Sequence, residues 1–322
     1  MKNKTLKVLE VLKTNFRQFI SGEKIAKILG ISRVGVHKII NKLVKEGYKI
    51  EKNKKLGYKL VEIPFSPYEV LKQNFEIPKQ VVFYKSTTST MDVAKQIVQQ
   101  NTDFDKVLII AEEQTKGKGR IQRQWFSPKG GLWFSLILTP KISPKEIFIL
   151  NFLFSLSVAN VLREKYSIKN ATTKWPNDVV VDNKKICGIL IESDTEIDQV
   201  NWCIVGVGVN INIDKKFFEK HKLQATSVSI LLNKNVNLTE FLIELFKEIN
   251  KWYKVFVDKK YNKIVEEWKK ISSTIGNTVR VITLNETVTG KAINISPQTG
   301  ALILKTSSGI KEILCGDCVH LR

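Results

Sequence analysis

Between Ala111 and Thr139 the chain reads AEEQTKGKGRIQRQWFSPKGGLWFSLILT, and its first half gathers groups able to hold an anion. Gly117 and Gly119 alternate with Lys116, Lys118 and Arg120, and Arg123 and Trp125 follow closely. Glycines at that spacing let backbone N–H groups approach a ligand. Four cations so close together repel one another unless a polyanion joins them, although a solvated basic hairpin would carry the same charges. A second concentration, Lys174-Trp175-Pro176-Asn177-Asp178, precedes Lys185, whose ammonium at the mouth of an apolar run can reach a ligand without being entombed, although by itself it reads as one more surface lysine in a lysine-rich chain. Ser86 to Thr90 offers hydroxyls, each both donor and acceptor, or simply caps for the helix that follows. The chain has no Gly-x4-Gly-Lys-Ser/Thr phosphate loop and no evident Ser-His-Asp set. If the chain uses ATP, the cationic loop and Mg²⁺ must handle the phosphates.

These residues need a rigid frame. The apolar runs Val107 to Ala111 and Leu132 to Leu138 read as buried strands on either side of the cationic loop. Val179 to Val181, a turn at Asp182-Asn183 and Lys184 to Glu192 predict a hairpin, and Trp175-Pro176 is expected to be extended. Val200 to Ile213 contains Gly206-Val207-Gly208-Val209-Asn210, which lacks the third glycine of a dinucleotide fingerprint and lies within a strand-like run. Ser143-Pro144 opens a long core helix reaching about Tyr166, and amphipathic helices follow at about 238–257 and 261–271. From Gly276 onward, short alternating strands at 278–283, 286–295, 301–306 and 309–315 predict a small SH3-like barrel without a catalytic constellation.

The amino-terminal region is of another kind. Residues 1–60 carry 16 Lys and Arg against 4 Asp and Glu, so over half of the formal net charge of +21 sits in the first fifth of the chain. Nucleic acid is the natural partner for such a surplus. Ser21 caps one helix that ends at Gly30, and Ser32 caps the next. Val36, Ile39, Ile40, Leu43 and Val44 form the apolar stripe of that third helix. Its other face presents Arg33, His37, Lys38, Asn41 and Lys42, which with Ser32 are the candidate DNA contacts, in a helix-turn-helix followed by a β-hairpin wing at 48–61. Pro64 to Pro67 marks a linker. The expected organisation is a DNA-binding domain at 1–63, a mixed α/β domain at 64–273 and the barrel at 274–322, an α+β protein overall. No signal peptide and no apolar stretch of membrane-spanning length are evident, and Cys187, Cys203, Cys315 and Cys318 read as reduced cytoplasmic thiols without a zinc site.

Gly117-Lys118-Gly119-Arg120, then Arg123 and Trp125, together with the Lys-Trp-Pro-Asn-Asp block, resemble the biotin protein ligases, and the amino-terminal segment resembles the winged helix of members that are also repressors. The chain departs from the pattern at three places: Lys118 replaces an arginine, Gln122 a glycine, and Met91-Asp92 follows the Ser-Thr pair where an asparagine is common. The resemblance implies that biotin and ATP, with Mg²⁺, react to biotinyl-5′-AMP, from which biotin passes to a lysine of a biotin carboxyl carrier protein such as that of acetyl-CoA carboxylase. It implies biotin contacts at Ser89, Thr90, Gln114, Gly117, Lys118, Arg120, Lys185, Gly188 and Gly206. ATP contacts fall at Lys118, Arg120, Arg123, Trp125, Asn177, Lys185 and Asn210, and the catalytic roles at Lys185, Arg120 and Asp178. No aromatic near Leu223 is obviously placed to stack on adenine, which leaves that contact open. Operator DNA, a ligand-dependent homodimer and a repressor role complete the expectation, with a lipoate ligase relative and a non-catalytic ligand sensor as the competing readings.

Overall fold

The computed structural model describes residues 2–45, 47–62, 64–100 and 103–321. The expected domain limits at residues 63 and 322 lie outside them. The chain divides into two compact units, Met1–Ser66 and Pro67–Arg322.

In the first unit α1 (Lys2–Thr14), α2 (Gly22–Leu29) and α3 (Arg33–Lys45) precede the hairpin β1 (Lys49–Asn53) and β2 (Gly57–Glu62). Ser21 Oγ accepts from Lys24 N, and Gly30 closes α2 at φ 60°, a conformation that costs glycine nothing. Val8, Leu12, Ile25, Val36, Ile40, Leu43 and Leu60 make the core. Val44, expected on the buried stripe, is 40% exposed.

The second unit is built on a seven-stranded sheet ordered β3-β4-β5-β9-β8-β7-β6. Its strands are β3 (Gln80–Tyr84), β4 (Val107–Ala111), β5 (Leu132–Leu138), β6 (Ala171–Lys174), β7 (Asp178–Val181), β8 (Lys184–Thr195) and β9 (Val200–Val209). Only the β3–β4 pair is parallel. α4 (Thr90–Gln100) packs on β4, β5 and β9, and α5 (Phe148–Glu164) packs on β8 beside α8 (Leu238–Val257) and α9 (Tyr261–Lys270). The short helices α6 (Lys215–Lys220) and α7 (Val228–Leu232) have no periodic signal long enough to read from sequence.

Three expectations are corrected here. Trp175-Pro176-Asn177 is a turn, because β6 and β7 pair antiparallel with Lys174 opposite Asp178, and the chain must reverse between them. Ser143 caps a short 3-10 turn, Pro144–Glu146, and the α-helix proper begins only at Phe148. The segment Pro144–Glu164 is, against the reading of the sequence, long and apolar enough to cross a bilayer by length and composition. The fold uses that apolarity otherwise. Ile149 to Ala159, Val161 and Leu162 are buried inside the protein, as expected of a helix that is apolar all round. Its buried hydroxyls are satisfied locally, Ser155 Oγ donating to Asn151 O at 2.6 Å and Ser157 Oγ to Leu153 O at 2.8 Å.

The carboxy-terminal strands β10 (Thr278–Ile282), β11 (Thr287–Ile295), β12 (Leu302–Thr306), β13 (Gly309–Ile313) and β14 (Asp317–His320) form a sheet ordered β13-β12-β11-β10-β14. β14 is too short and too polar to read as a strand from its own residues. It forms by pairing with β10, Val281 facing Cys318. The barrel belongs to the same compact unit as the seven-stranded sheet. Trp175 ties the two together: its N–H donates to Thr274 Oγ1 at 3.0 Å and its Nε1 to Gly300 O at 3.1 Å.

Candidate functional site

A cleft of about 560 Å³ opens where the cationic loop crosses β8 and β9. Ser89, Thr90, Gln114, Lys118, Arg120, Arg123, Trp125, Asn177, Asp178, Lys185, Gly188 and Gly206 all line it. Gly117 and Asn210 do not. A side chain at Gly117 would run into Trp125 O at 2.3 Å, so that glycine serves the loop's own packing. Asn210 lines a neighbouring apolar pocket of about 200 Å³.

The hydroxyl end of the cleft is a network. Ser89 and Thr90 are buried; Thr90 Oγ1 donates to Gln114 Oε1 at 3.0 Å and lies 2.8 Å from Ser135 Oγ, while Gln114 Nε2 donates to Ser127 Oγ at 2.8 Å. Ser89 Oγ accepts from Met91 N at 3.3 Å, so it caps α4 while lining the cleft. Gly206 does not clear space for a ligand directly. A methyl there would meet Met91 Sδ at 2.6 Å, so the glycine makes room for Met91, which in turn bounds the cleft.

The other end is organised by Trp125. Gly188 and Gly208 face each other across β8 and β9, and the indole lies over both. A Cβ on Gly188 would stand 2.9 Å from the ring, and one on Gly208 2.5 Å from its Nε1. That Nε1 is buried without a hydrogen-bond partner among the described residues. Trp133 packs edge-on to the ring at 6.3 Å, and Lys185 Nζ lies 5.1 Å from the centre of the Trp125 ring. The same ammonium is 2.7 Å from Asp178 Oδ1, a charge contact rather than an aligned hydrogen bond. Lys185 and Trp125 border both the cleft and the apolar pocket. Phe126 and Phe217, edge-to-face at 6.3 Å, also line that pocket beside Leu223. Phe217 stands shortly before Leu223 in the sequence, where nothing marked it for stacking, and the fold brings Phe126 to it from a remote segment.

The cationic loop is a small hairpin. Gly119 N donates to Arg123 O at 2.7 Å, and Ile121 and Gln122 turn the tip at φ 53° and 56°. Gln122 thus occupies a left-handed position that favours glycine, the residue the resemblance led one to expect. Three side chains hold the loop down. Arg120 donates from Nη1 to Asn177 Oδ1 at 3.1 Å and from Nη2 to Gly316 O at 3.2 Å. Arg123 pairs with Asp317. Lys118 pairs with Asp92, so the lysine that replaces the pattern's arginine has a carboxylate partner within the fold. Asp317, Cys318 and Val319 also wall the cleft, a contribution from the barrel that its sequence did not announce. Burial pushes the Cys318 thiol up to about 11, with Lys174 pulling the other way.

In the DNA-binding unit Ser32 Oγ accepts from Gly35 N at 3.0 Å and caps α3. Arg33 and Lys38 are exposed, His37 Nδ1 lies 3.0 Å from Tyr58 Oη, and Lys52 Nζ of the wing donates to Asn41 Oδ1 at 2.6 Å.

Residues 83–210 match the biotin/lipoate A/B protein ligase family, residues 4–59 an HTH domain and residues 274–321 the biotin protein ligase C-terminal domain. The bifunctional ligase/repressor BirA of Bacillus subtilis is 33% identical over 317 residues, covering 96% of each chain. The chain belongs to the bifunctional biotin ligase/repressor family. The corresponding protein of Escherichia coli is 26% identical over 98% of each chain. Among solved structures, the biotin protein ligase of Aquifex aeolicus in complex with biotin and ATP superposes with a TM-score of 0.63 at 30% identity, covering 76% of this chain and 99% of that one.

Proposed function

We propose that this chain is an ATP-dependent biotin protein ligase that also binds operator DNA as a repressor of biotin genes. The observation that carries the ligase reading is the position of Lys185: its ammonium stands where the 560 Å³ cleft meets the apolar pocket, against Trp125 and Asp178.

Biotin fits the cleft with its ring toward Ser89, Thr90 and Gln114 and its carboxylate toward Lys185, and the adenine fits the apolar pocket beside Phe126 and Phe217. The carboxylate oxygen attacks the α-phosphorus, the α–β bridging bond breaks and pyrophosphate leaves. Anion meets anion in this step, so Lys185 and Arg120, with Lys118 and Arg123 at the rim, lower the barrier by charge neutralisation and alignment. The acyl adenylate is prone to hydrolysis, and the loop held by Arg120 shields it. In the second step a lysine amine of a carrier protein attacks the acyl carbon, and AMP departs. Asp178 is placed to orient that amine and take its proton, with Lys185 as its present counter-ion. Among the described residues no three His, Cys, Asp or Glu side chains converge on a cation. Mg²⁺ would therefore arrive on the nucleotide phosphates, keeping water ligands, and supply further charge neutralisation there.

The acceptor is a biotin carboxyl carrier protein, the assembly on operator DNA a ligand-dependent homodimer, and the compartment the cytoplasm. The three-part organisation at 1–63, 64–273 and 274–322 belongs to the same reading. The test is direct: protein, Mg²⁺–ATP and either biotin or lipoate, with acid-quenched adenylate and pyrophosphate as readouts. Adenylate and pyrophosphate with biotin alone are expected; activation of lipoate, or of neither acid, overturns the reading.

A further inference from the structure

The third helix carries an anomaly its amphipathic pattern does not explain. Val36, Ile40 and Leu43 bury one face of α3. At about 100° per residue the opposite face is centred on Val34, Lys38, Asn41 and Lys45, spaced i, i+4, i+7 and i+11. Val34 is 65% exposed in the first turn. A β-branched residue there gains nothing from burial and is a poorer helix former than the lysines around it. Single exposed apolar residues are ordinary on a protein surface, but this one opens a stripe that continues through Lys38 and Lys45, in the first turn of the helix of a helix-turn-helix that meets base edges. Two neighbours on that face already have partners within the unit, His37 on Tyr58 and Asn41 on Lys52. The apolar feature of a base edge in the major groove is the thymine 5-methyl group.

We propose that Val34 is a specificity-determining residue that packs on a thymine methyl in the operator, while Lys38 on the same stripe contacts phosphate. The inference rests on the DNA-binding reading of residues 4–59. A lysine in the first turn would attract any duplex; a valine there discriminates among them.

The experiment uses the full chain with biotin and ATP. A high-affinity site is first selected from random duplexes, and each thymine in it is then replaced singly by deoxyuridine, which removes only the methyl. One position is expected to lose roughly fourfold in affinity, the effect of one methyl leaving an apolar contact. With Val34→Ala, which suits a helix at least as well, that penalty disappears while the rest of the profile stays. Lys38→Ala instead weakens all duplexes alike and reduces the salt slope by about one. If no deoxyuridine position matters to the wild type, or if Val34→Ala keeps the same penalty, the assignment of Val34 is overturned and DNA binding survives. If no sequence is enriched at all, sequence-specific DNA binding and the assignment fall together.

Discussion

The glycine pair beneath Trp125 offers the sharpest perturbation of the cleft. In Gly208→Ala the new methyl stands 2.5 Å from Trp125 Nε1 and 2.7 Å from Cε2. The indole is rigid, and Trp133 lies edge-on to it at 6.3 Å, so the ring must move as a body or the strand must shift. Overpacking of this kind costs about 1–3 kcal/mol. Trp125 borders the apolar pocket assigned to adenine, so the cost falls on ATP: at 1.4 kcal/mol per tenfold, KM for ATP rises about 5- to 150-fold. Gly206→Ala is the internal control. Its methyl stands 2.6 Å from Met91 Sδ, the far end of an unbranched side chain that can swing aside. The smaller effect, at the lower end of the same range or about fivefold, should appear in KM for biotin. Initial rates of pyrophosphate release, with each substrate titrated against saturating amounts of the other, separate the two. If Gly208→Ala impairs biotin more than ATP, or leaves both unchanged, the assignment of the two ends of the cleft is wrong.

Other outcomes follow from the contacts of the loop and the barrel. Arg120→Gly removes the bonds to Asn177 and Gly316, and adenylate should escape into solution faster, measured as free biotinyl-5′-AMP on rapid filtration; unchanged retention removes Arg120 from that role. Asp92→Lys and Lys118→Asp each put like charges together, and the double swap should recover most of the loss in adenylate retention; because the pair is more than one-third exposed, the coupling should be small, about 0.2–1 kcal/mol. Burial and then the charge of Lys174 hold the His320 imidazole below its ordinary 6.5. The unfolded chain therefore binds the proton first, and stability should fall as pH drops below 6.5, levelling off below the folded value; His320→Gln should flatten that limb of a urea-midpoint profile. Exposed Cys315 should be alkylated quickly in the native protein while buried Cys187 and Cys203 are protected, the Cys203 thiol pushed up to about 12 by burial; equal rates by mass spectrometry would contradict the packing of β8 and β9.

What the sequence determined by itself is local. Strands and helices with a strong period, the caps at Ser21 and Gly30, the Asp182-Asn183 turn and the charge surplus of the first sixty residues are properties of neighbouring residues, legible without a third dimension. The residues of the cleft could be nominated because loop and block carry chemistry in short spans. What only the tertiary structure decided is which of them touch. Gly117 packs on its own loop, and Gly206 makes space for Met91. Phe126 and Phe217 complete a pocket from segments about ninety residues apart, and β14 exists because β10 offers it a partner. The ion pair of Asp92 with Lys118 joins residues 26 positions apart in the chain. Contacts of this kind depend on long-range sheet register and on shape, which residue spacing along a chain does not encode.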